Sequence, residues 1–243
     1  MSEGVAAANR RLLSEGVRVV ERAHGEGLTA RLLGGLGIVY HCPTQNERGG
    51  HRAVGDIDLI VKSGEGRKLA GLLEAEGYRP ESRFNALHGH HRMLWHGELG
   101  RLDVLIGAFE MCHRIDMEHR LELDWPTLTA TDLLLTKLQI VELNAKDALD
   151  AEVLLAEHDL ERREGDCINL LYLETLVAND WGLWRTVTGT LTQIEHLPSK
   201  EDITAKARQL RMALVTSPKT LKFRMRARVG EKVPWYVIPD EVG

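Results

Sequence analysis

Two aspartates stand two positions apart, at Asp56 and Asp58, at the start of an otherwise apolar stretch that ends at Val61. On a β-strand, residues two apart project from the same face, so the two carboxylates point together. Like charges placed side by side are costly unless a cation or a positive side chain neutralises them. Hard divalent cations, Mg²⁺ above all, favour such oxygen ligands. The pair therefore indicates a metal site, and a strand edge with two solvated acids is the alternative.

Two further signals flank this pair in the chain. Gly34 and Gly35 follow an apolar run, and paired glycines between a strand and a helical segment let a ligand approach the backbone. N–H groups exposed at a helix N-terminus suit a phosphate, although a plain tight turn is the alternative. Asp103 is a single acid in an apolar strand. It could join the first two carboxylates around a metal pair, or it could face solvent.

The elements that must position these residues form an α+β pattern. Its predicted order is α-β-α-β-α-β-β-β, and apolar residues at helical or alternating spacing define each element. The predicted strands are Leu28 to Leu33, Asp56 to Val61, Tyr78 to Phe84, His88 to Trp95 and Arg101 to Ile106. A polar loop from Pro43 to Gly55 precedes the Asp56 strand.

The pattern changes at Trp125-Pro126, which predicts a core of residues 1–125 and a helical C-terminal region of residues 126–243. The predicted helices of the second region are Thr131 to Leu143, Lys146 to Glu157, Cys167 to Ala178, Leu183 to Ile194 and Ser199 to Val215. The segment from Leu221 to Val229 then alternates like a strand.

In their order, these motifs resemble the polymerase-β-like nucleotidyltransferase superfamily. The stretch that carries the resemblance is LLGGLGIVYHCPTQNERGGHRAVGDIDLIV, residues 32–61. The match is nearest to minimal antibiotic-type nucleotidyltransferases and to abortive-infection toxins of this superfamily. Lincosamide-type members have a similar Gly-Gly turn and an arginine shortly before D-x-D, which here is Arg52. Some relatives carry serine at the second glycine, and Gly35 lacks that hydroxyl.

The resemblance implies an α+β nucleotidyltransferase fold and two-metal phosphoryl transfer. Asp56 and Asp58 would hold Mg²⁺ against a nucleoside triphosphate such as ATP, and Asp103 would complete the second metal site and help to deprotonate an acceptor hydroxyl. Gly34 and Gly35 would contact the β- and γ-phosphates. The acceptor would be a small molecule. The alternatives are a toxin-like enzyme that acts on an RNA end and a non-catalytic nucleotide-binding protein on the same fold.

Lys137 is the main candidate in the second region. Its neighbours at helical spacing, Leu133, Leu134, Ile140 and Val141, are all apolar, so the lysine lies in an inward stripe. A buried lysine needs an anionic partner, and the alternative is a side chain that extends past its neighbours into solvent. Toxin-type relatives have a similar DLLLTK-like helix and a following K-D-x-x-D element, here residues 146–150. This resemblance implies that Lys137 touches the triphosphate and that Asp147 supports it.

Two other polar clusters have open alternatives. Four histidines, His88, His90, His91 and His96, crowd one predicted hairpin, where they are polar strand residues or, less well supported, zinc ligands. Lys222, Arg224, Arg226 and Arg228 alternate with apolar residues and would form one basic strand face. That face would suit a nucleic-acid backbone or protect an edge strand from pairing.

Composition limits the class of protein. The 243 residues are 43% hydrophobic and 28% charged, as in an ordinary globular chain. No apolar run of membrane-spanning length and no signal-peptide pattern is present. The three scattered cysteines indicate a reducing cytosol and no cysteine zinc site. The net charge is −5, yet residues 200–232 carry ten Lys/Arg and three Asp/Glu, which leaves −12 on the remainder. This asymmetry suits a polyanion such as RNA or a basic tail that packs on an acidic body.

Overall fold

A computed structural model of the chain describes residues 2–44, 52–198 and 200–238, with two compact units. Unit 1 comprises Met1–Phe109 and Ile115–Leu133, and unit 2 comprises Glu110–Arg114 and Leu134–Gly243. Unit 1 contains a five-stranded mixed sheet with helices, and unit 2 is mostly helical. The predicted α+β class is therefore confirmed. None of the helices in the described residues is both long and apolar enough to cross a membrane.

The elements of unit 1 precede a short hairpin. They are α1 (Ser2–Gly25), β1 (Ala30–Leu33), α2 (Gly34–His41), β2 (Asp56–Val61), α3 (Gly66–Ala75), β3 (Arg79–Pro80), α4 (Ser82–His88), β4 (Arg92–Gly97) and β5 (Gly100–Ile106). The hairpin strands are β6 (Ala108–Glu110) and β7 (Arg114–Asp116). Helix α5 (Ala130–Leu138) begins in unit 1 and ends in unit 2.

The main sheet has the strand order β1-β2-β5-β4-β3, and only the β2–β5 pair is parallel. One face of this sheet is the core of unit 1. Side chains from α1 and α3 cover it, among them Val19, Val20, Leu69 and Leu73. The sheet contributes the alternate residues Ile57, Leu59, Val61, Leu102, Val104 and Trp95 to the same core. The remaining alternate residues, which include Asp56 and Asp58, therefore belong to the other face.

Two predicted strands of unit 1 are wrong in part. The strand expected from Tyr78 to Phe84 is only two residues long, and helix α4 replaces the rest of it. The strand expected from His88 begins at Arg92. Asn85 explains the change, because its side-chain amide donates to the Leu94 carbonyl at 3.0 Å and accepts from the Leu94 N–H at 2.7 Å. A helical side chain thus satisfies the backbone of β4 where a neighbouring strand was expected.

Unit 2 contains α6 to α10 and one short parallel strand pair. Its elements are α6 (Ala145–Glu157), β8 (Leu160–Glu161), β9 (Ile168–Asn169), α7 (Leu170–Asn179), α8 (Trp181–Glu195), α9 (Glu201–Thr216), α10 (Leu221–Val229) and a 3-10 turn (Gly230–Lys232). Side-chain oxygens cap the N-termini of four of these helices, at Asn144, Asn169, Asp180 and Thr220.

The strand predicted from Leu221 to Val229 is wrong, because this segment is helix α10. Thr220 caps it, and its Oγ1 accepts a hydrogen bond from the Phe223 N–H at 3.3 Å. Leucine, lysine, arginine, methionine and alanine all have high helix propensity, which outweighs the alternating pattern where no described strand pairs with the segment. In a helix, residues two apart point in different directions, so the four cations form no single face.

Candidate active site

The three predicted metal ligands lie on one face of the sheet of unit 1. Asp58 and Asp103 are direct register partners on the parallel strands β2 and β5, and Asp56 lies two residues before Asp58. Register partners on neighbouring strands project to the same side, so all three carboxylates share the face opposite the core. Asp103 is buried, whereas Asp56 and Asp58 are partly exposed. The geometry that would have excluded the triad, with Asp103 on the other face, is not present.

The predicted glycine turn adjoins the same face. Leu33 pairs with Asp58 across β1 and β2, and Gly34 follows it as the first residue of α2 with a φ of +62°. A Cβ at Gly34 would lie 2.0 Å from Oδ2 of Asp58, so any side chain there would displace the Asp58 carboxylate. Among the residues that the structure describes, no side chain caps the N-terminus of α2. The first backbone N–H groups of this helix have no partner within the helix, and they begin beside the Asp58 carboxylate.

Arg52 lies beside the second glycine. A Cβ at Gly35 would lie 3.2 Å from Nη2 of Arg52 and 2.9 Å from a methyl group of Val54. Asn9 of α1 holds this loop, because its Nδ2 donates to the Arg52 carbonyl and its Oδ1 accepts from the Val54 N–H, each at 3.0 Å. The Asn9 side chain is fully buried. Residues 45–51 of the same polar loop lie outside the described residues.

Two arginines neutralise the acidic face. Arg92 of β4 forms a bidentate pair with Asp103, with Nε to Oδ1 at 3.0 Å and Nη2 to Oδ2 at 2.6 Å. The hydrogen bonds to Asp103 and the charges of Asp103 and Asp58 raise the pKa of Arg92 against the opposing effect of burial. Nη2 of Arg101 donates a hydrogen bond to Oδ2 of Asp56 at 3.2 Å. Asp56 and Asp103 thus pair with different arginines, and the three acids do not offer three ligand atoms that all lie within 4.8 Å of one another.

Comparison with known proteins identifies the family of the chain. A family model described as an uncharacterised nucleotidyltransferase matches residues 1–158. The chain belongs to this nucleotidyltransferase family. The predicted superfamily is thereby confirmed, and the match includes every residue of the acidic face and the glycine turn. No curated protein matches the chain.

The nucleotidyltransferase holds Lys137 in a buried cluster of unit 2. Its Nζ lies 2.8 Å from Oδ1 of Asp147 and 3.0 Å from Oδ2 of Asp150, and the lysine is 8% exposed. The alternative in which the Lys137 side chain extends past its apolar neighbours into solvent is therefore wrong. Burial would lower the pKa of Lys137, but the charges and hydrogen bonds of Asp150 and Asp147 outweigh it and raise that pKa. Asn144 completes the cluster by donating to Oδ2 of Asp147 at 2.6 Å.

The four histidines do not form the predicted hairpin. His88 ends α4, His96 lies in β4, and His90 and His91 lie in the turn between them. Within the described ranges, no three ligand atoms that include these histidines come together as a metal site would require. His90 and His91 contact each other, with Nε2 and Nδ1 at 2.9 Å. The alternative of polar strand residues holds only for His96, because His88 is helical and His90 and His91 lie in a turn.

Sequence reasoning missed three polar residues of these sites. Arg92 was part of a predicted strand, but no sequence signal aligns it with Asp103 because the register of β4 and β5 is not local. Asn9 is an isolated amide in an amphipathic helix, and it acts on a loop 43 positions later. Asn144 could have been found, since an asparagine immediately before a helical pattern is a common N-cap.

Proposed function

We propose that this nucleotidyltransferase moves a nucleoside monophosphate from a nucleoside triphosphate to an acceptor hydroxyl, with Mg²⁺ held by Asp56, Asp58 and Asp103. One observation carries the proposal. Asp58 and Asp103 are neighbours on parallel strands, and the N-terminus of α2 begins at Gly34 against the Asp58 carboxylate. A cation site and an anion site are therefore adjacent, which is what a triphosphate with its metal requires.

The residues present fit Mg²⁺. Carboxylate oxygens are its preferred protein ligands, and the absence of a Cβ at Gly34 lets the Asp58 carboxylate lie against the backbone at the start of α2. Once bound, Mg²⁺ would stabilise the negative charge on the attacking and leaving oxygens of an in-line displacement. Arg92 pairs with Asp103, so the arginine and Mg²⁺ would compete for this carboxylate.

The phosphates have two groups of partners on the chain. The backbone N–H groups of Gly34 and Gly35 would donate to the β- and γ-phosphates, and the guanidinium of Arg52 beside Gly35 would balance their charge. Asn9 holds the Arg52 backbone in place for this role. Lys137 is proposed to contact the triphosphate and Asp147 to support Lys137 through their ion pair, as the resemblance to toxin-type members implies.

In the transfer step, the acceptor oxygen bonds to the α-phosphorus while the bond from that phosphorus to the bridging oxygen breaks. Pyrophosphate leaves with the bonding electron pair. The hydroxyl proton passes to a carboxylate oxygen of Asp103, which lies beside Asp58 on the neighbouring parallel strand. A base that is already positioned near the acceptor hydroxyl lowers the entropic cost of reaching the reactive geometry.

The proposal is tested by incubating the purified chain with each α-labelled nucleoside triphosphate, Mg²⁺ and an acceptor. The acceptors are total RNA and a panel of aminoglycosides and lincosamides. We expect label on a small-molecule acceptor, abolished by EDTA. Label on RNA instead would support the RNA-end alternative. Nucleotide binding without any transfer across the panel would contradict the enzymatic proposal and favour a nucleotide-binding protein on the same fold.

A further inference from the structure

A cavity of about 460 Å³ lies within unit 2, formed entirely by residues of that unit. Its volume falls in the range of ~300–1,000 Å³ that is typical of small-ligand sites. The lining combines aromatic rings with cations. The aromatic residues are Trp181, Trp235 and Tyr236, and the cations are Arg114, Lys222 and Arg226.

The C-terminal segment builds one wall of this cavity. It packs closely on the start of α8, where a Cβ at Gly182 would lie 2.8 Å from the Trp235 carbonyl oxygen. The indole Nε1 of Trp235 donates to Oγ1 of Thr186 at 3.3 Å, and the Val237 N–H donates to the Cys112 carbonyl at 3.0 Å. These bonds orient the Trp235 ring, which remains partly exposed together with Tyr236.

Helix α10 supplies two of the three cations of the lining, and its helical geometry determines which of its basic residues reach the cavity. Lys222 and Arg226 are four residues apart, so they share one side of the helix and both line the cavity. Arg224 and Arg228 are exposed and do not line it. Arg226 lies 4.7 Å above the Trp181 ring and donates to the Gly230 and Val233 carbonyls, so it is a fixed part of the wall.

The free charge of the described lining residues is positive. Among the residues that the structure describes, Lys222 is exposed and makes no ion pair or hydrogen bond. Among the described lining residues, Asp180 is the single acid, and its Oδ1 is engaged as the cap of α8, where it accepts from the Leu183 N–H at 3.0 Å. Burial lowers the pKa of His113 against the opposing charge of Asp180, so this histidine adds no charge at neutral pH. Arg114 is paired with Glu110, which leaves Lys222 as the available cation.

We propose that this cavity binds a nucleotide unit of single-stranded nucleic acid, with a base stacked on Trp235 or Tyr236 and a phosphate at Lys222. Aromatic faces accept any base, and a cation beside them neutralises the backbone, which is the combination found in single-strand binding sites. The inference goes beyond the proposed function and does not rest on it, because it uses none of the residues of the acidic face.

The test measures fluorescence anisotropy of a labelled short single-stranded oligoribonucleotide titrated with the full chain. Trp235→Ala should weaken binding roughly 5- to 150-fold, the range for loss of one stacked aromatic. Lys222→Ala should weaken binding severalfold and reduce the salt dependence by about one released counterion. Lys222 is exposed, so its replacement tests the proposal even if Trp235→Ala fails to fold.

Arg224→Ala is the matched control, since it removes the same charge from the same helix outside the cavity. It should bind within about twofold of the unchanged chain. Equal losses in Lys222→Ala and Arg224→Ala would overturn the proposal in favour of a diffuse basic surface, as would unchanged binding in a folded Trp235→Ala. Asp58→Asn should bind as well as the unchanged chain, so a failure of the transfer assay and a failure of this proposal are separable.

Competition identifies the source of the nucleotide. Unlabelled AMP and an unlabelled oligoribonucleotide are added at equal molar concentration to the labelled complex. Stronger competition by the oligoribonucleotide is expected for a strand, because each of its units can occupy the cavity whereas AMP offers one. Equal competition by AMP would overturn the proposal, because the cavity would then bind a free mononucleotide.

Discussion

The acidic face of unit 1 and the Lys137 cluster of unit 2 both join aspartates to basic side chains, yet they differ in accessibility. In the acidic face, the side chains of Asp56 and Arg101 are 36% and 38% exposed, and Arg92 is 29% exposed. In the cluster, the side chains alone of Lys137, Asp147 and Asp150 are 11%, 14% and 4% exposed, and the lysine contacts both acids. Three acids share the first site, and two share the second.

This difference separates a site that can exchange partners from one that is internally satisfied. Partly exposed arginines can leave a carboxylate for water when a cation arrives, because water replaces the lost hydrogen bonds. A buried ion cluster has no such replacement, so removing one member leaves an unpaired charge in a region of low polarity. We therefore expect changes in the acidic face to affect chemistry first and changes in the Lys137 cluster to affect stability first.

The largest expected effect breaks the chemistry at the acidic face. Asp58→Asn should lower nucleotidyl transfer by at least roughly 100-fold, since it removes a carboxylate that would hold Mg²⁺ against the reacting phosphates. Its unfolding free energy should change by less than about 1 kcal/mol, because a like-charge neighbour of Asp103 is removed. Glu98→Gln, an exposed acid in the β4–β5 turn, is the control. Full transfer by Asp58→Asn would remove this site from the mechanism.

The second prediction concerns stability at the Lys137 cluster. Lys137→Ala should lower the free energy of unfolding in urea by roughly 3–5 kcal/mol, because Asp147 and Asp150 are left buried without their cation. Lys146→Ala, an exposed neighbour, should change it by about 0.5 kcal/mol or less. Combining Lys137→Met with Asp147→Asn and Asp150→Asn should recover most of the loss.

The same cluster has a pH dependence with a defined sign. The folded pKa of Lys137 is raised above its ordinary value of 10.5, so its stabilisation is complete below that pH and is lost as pH rises through the folded pKa.

The stability prediction is contradicted if the unfolding free energy of Lys137→Ala lies within about 1 kcal/mol of that of the unchanged chain at pH 7. That result would show that the cluster is not structural and would favour the proposed contact of Lys137 with the triphosphate.

The third prediction sharpens the accessibility of the acidic face. Arg92→Ala should tighten binding of Mg²⁺ roughly tenfold, equivalent to ~1.4 kcal/mol, because it removes a positive charge that competes for Asp103. Isothermal titration calorimetry with Mg²⁺ and no nucleotide measures this. Arg83→Ala removes the same charge from the exposed side of α4 and should leave the affinity unchanged. Weaker Mg²⁺ binding in Arg92→Ala would mean that the arginine orients Asp103 for the metal.

The smallest expected effect is at Asn144, which caps α6 and donates to Asp147. Asn144→Ala should lower the unfolding free energy by about 1 kcal/mol, the usual cost of a lost N-cap. Asn144→Asp keeps the capping oxygen but loses the amide donor. If Asn144→Asp is as stable as the unchanged chain, loss of the N-cap accounts for the destabilisation in Asn144→Ala. If Asn144→Asp is as unstable as Asn144→Ala, loss of the hydrogen bond to Asp147 accounts for it.

Much of the acidic face could be predicted from the sequence, since its signals are local. Asp56 and Asp58 share a face because the strand repeat is two residues, and Gly34 is required at a positive φ beside Asp58. Helix α6 was predicted to within one residue of its observed ends, because helical apolar spacing is also a local signal. The α4 segment was not predicted, because the bonds from Asn85 to Leu94 that replace a strand neighbour depend on tertiary contact.

The sequence by itself determined which residues are chemically able to bind a metal and a phosphate, because residue type and backbone periodicity are local properties. Only the tertiary structure decided that Asp103 lies beside Asp58 and that Arg92 pairs with it, since strand register depends on which apolar faces are buried together. It also decided that Lys222 and Arg226 face Trp235 while Arg224 does not. Alternating charge suits a strand only where a neighbour can pair with it. Where Thr220 caps a segment of strong helix formers, intrinsic propensity and capping turn the same residues into a helix.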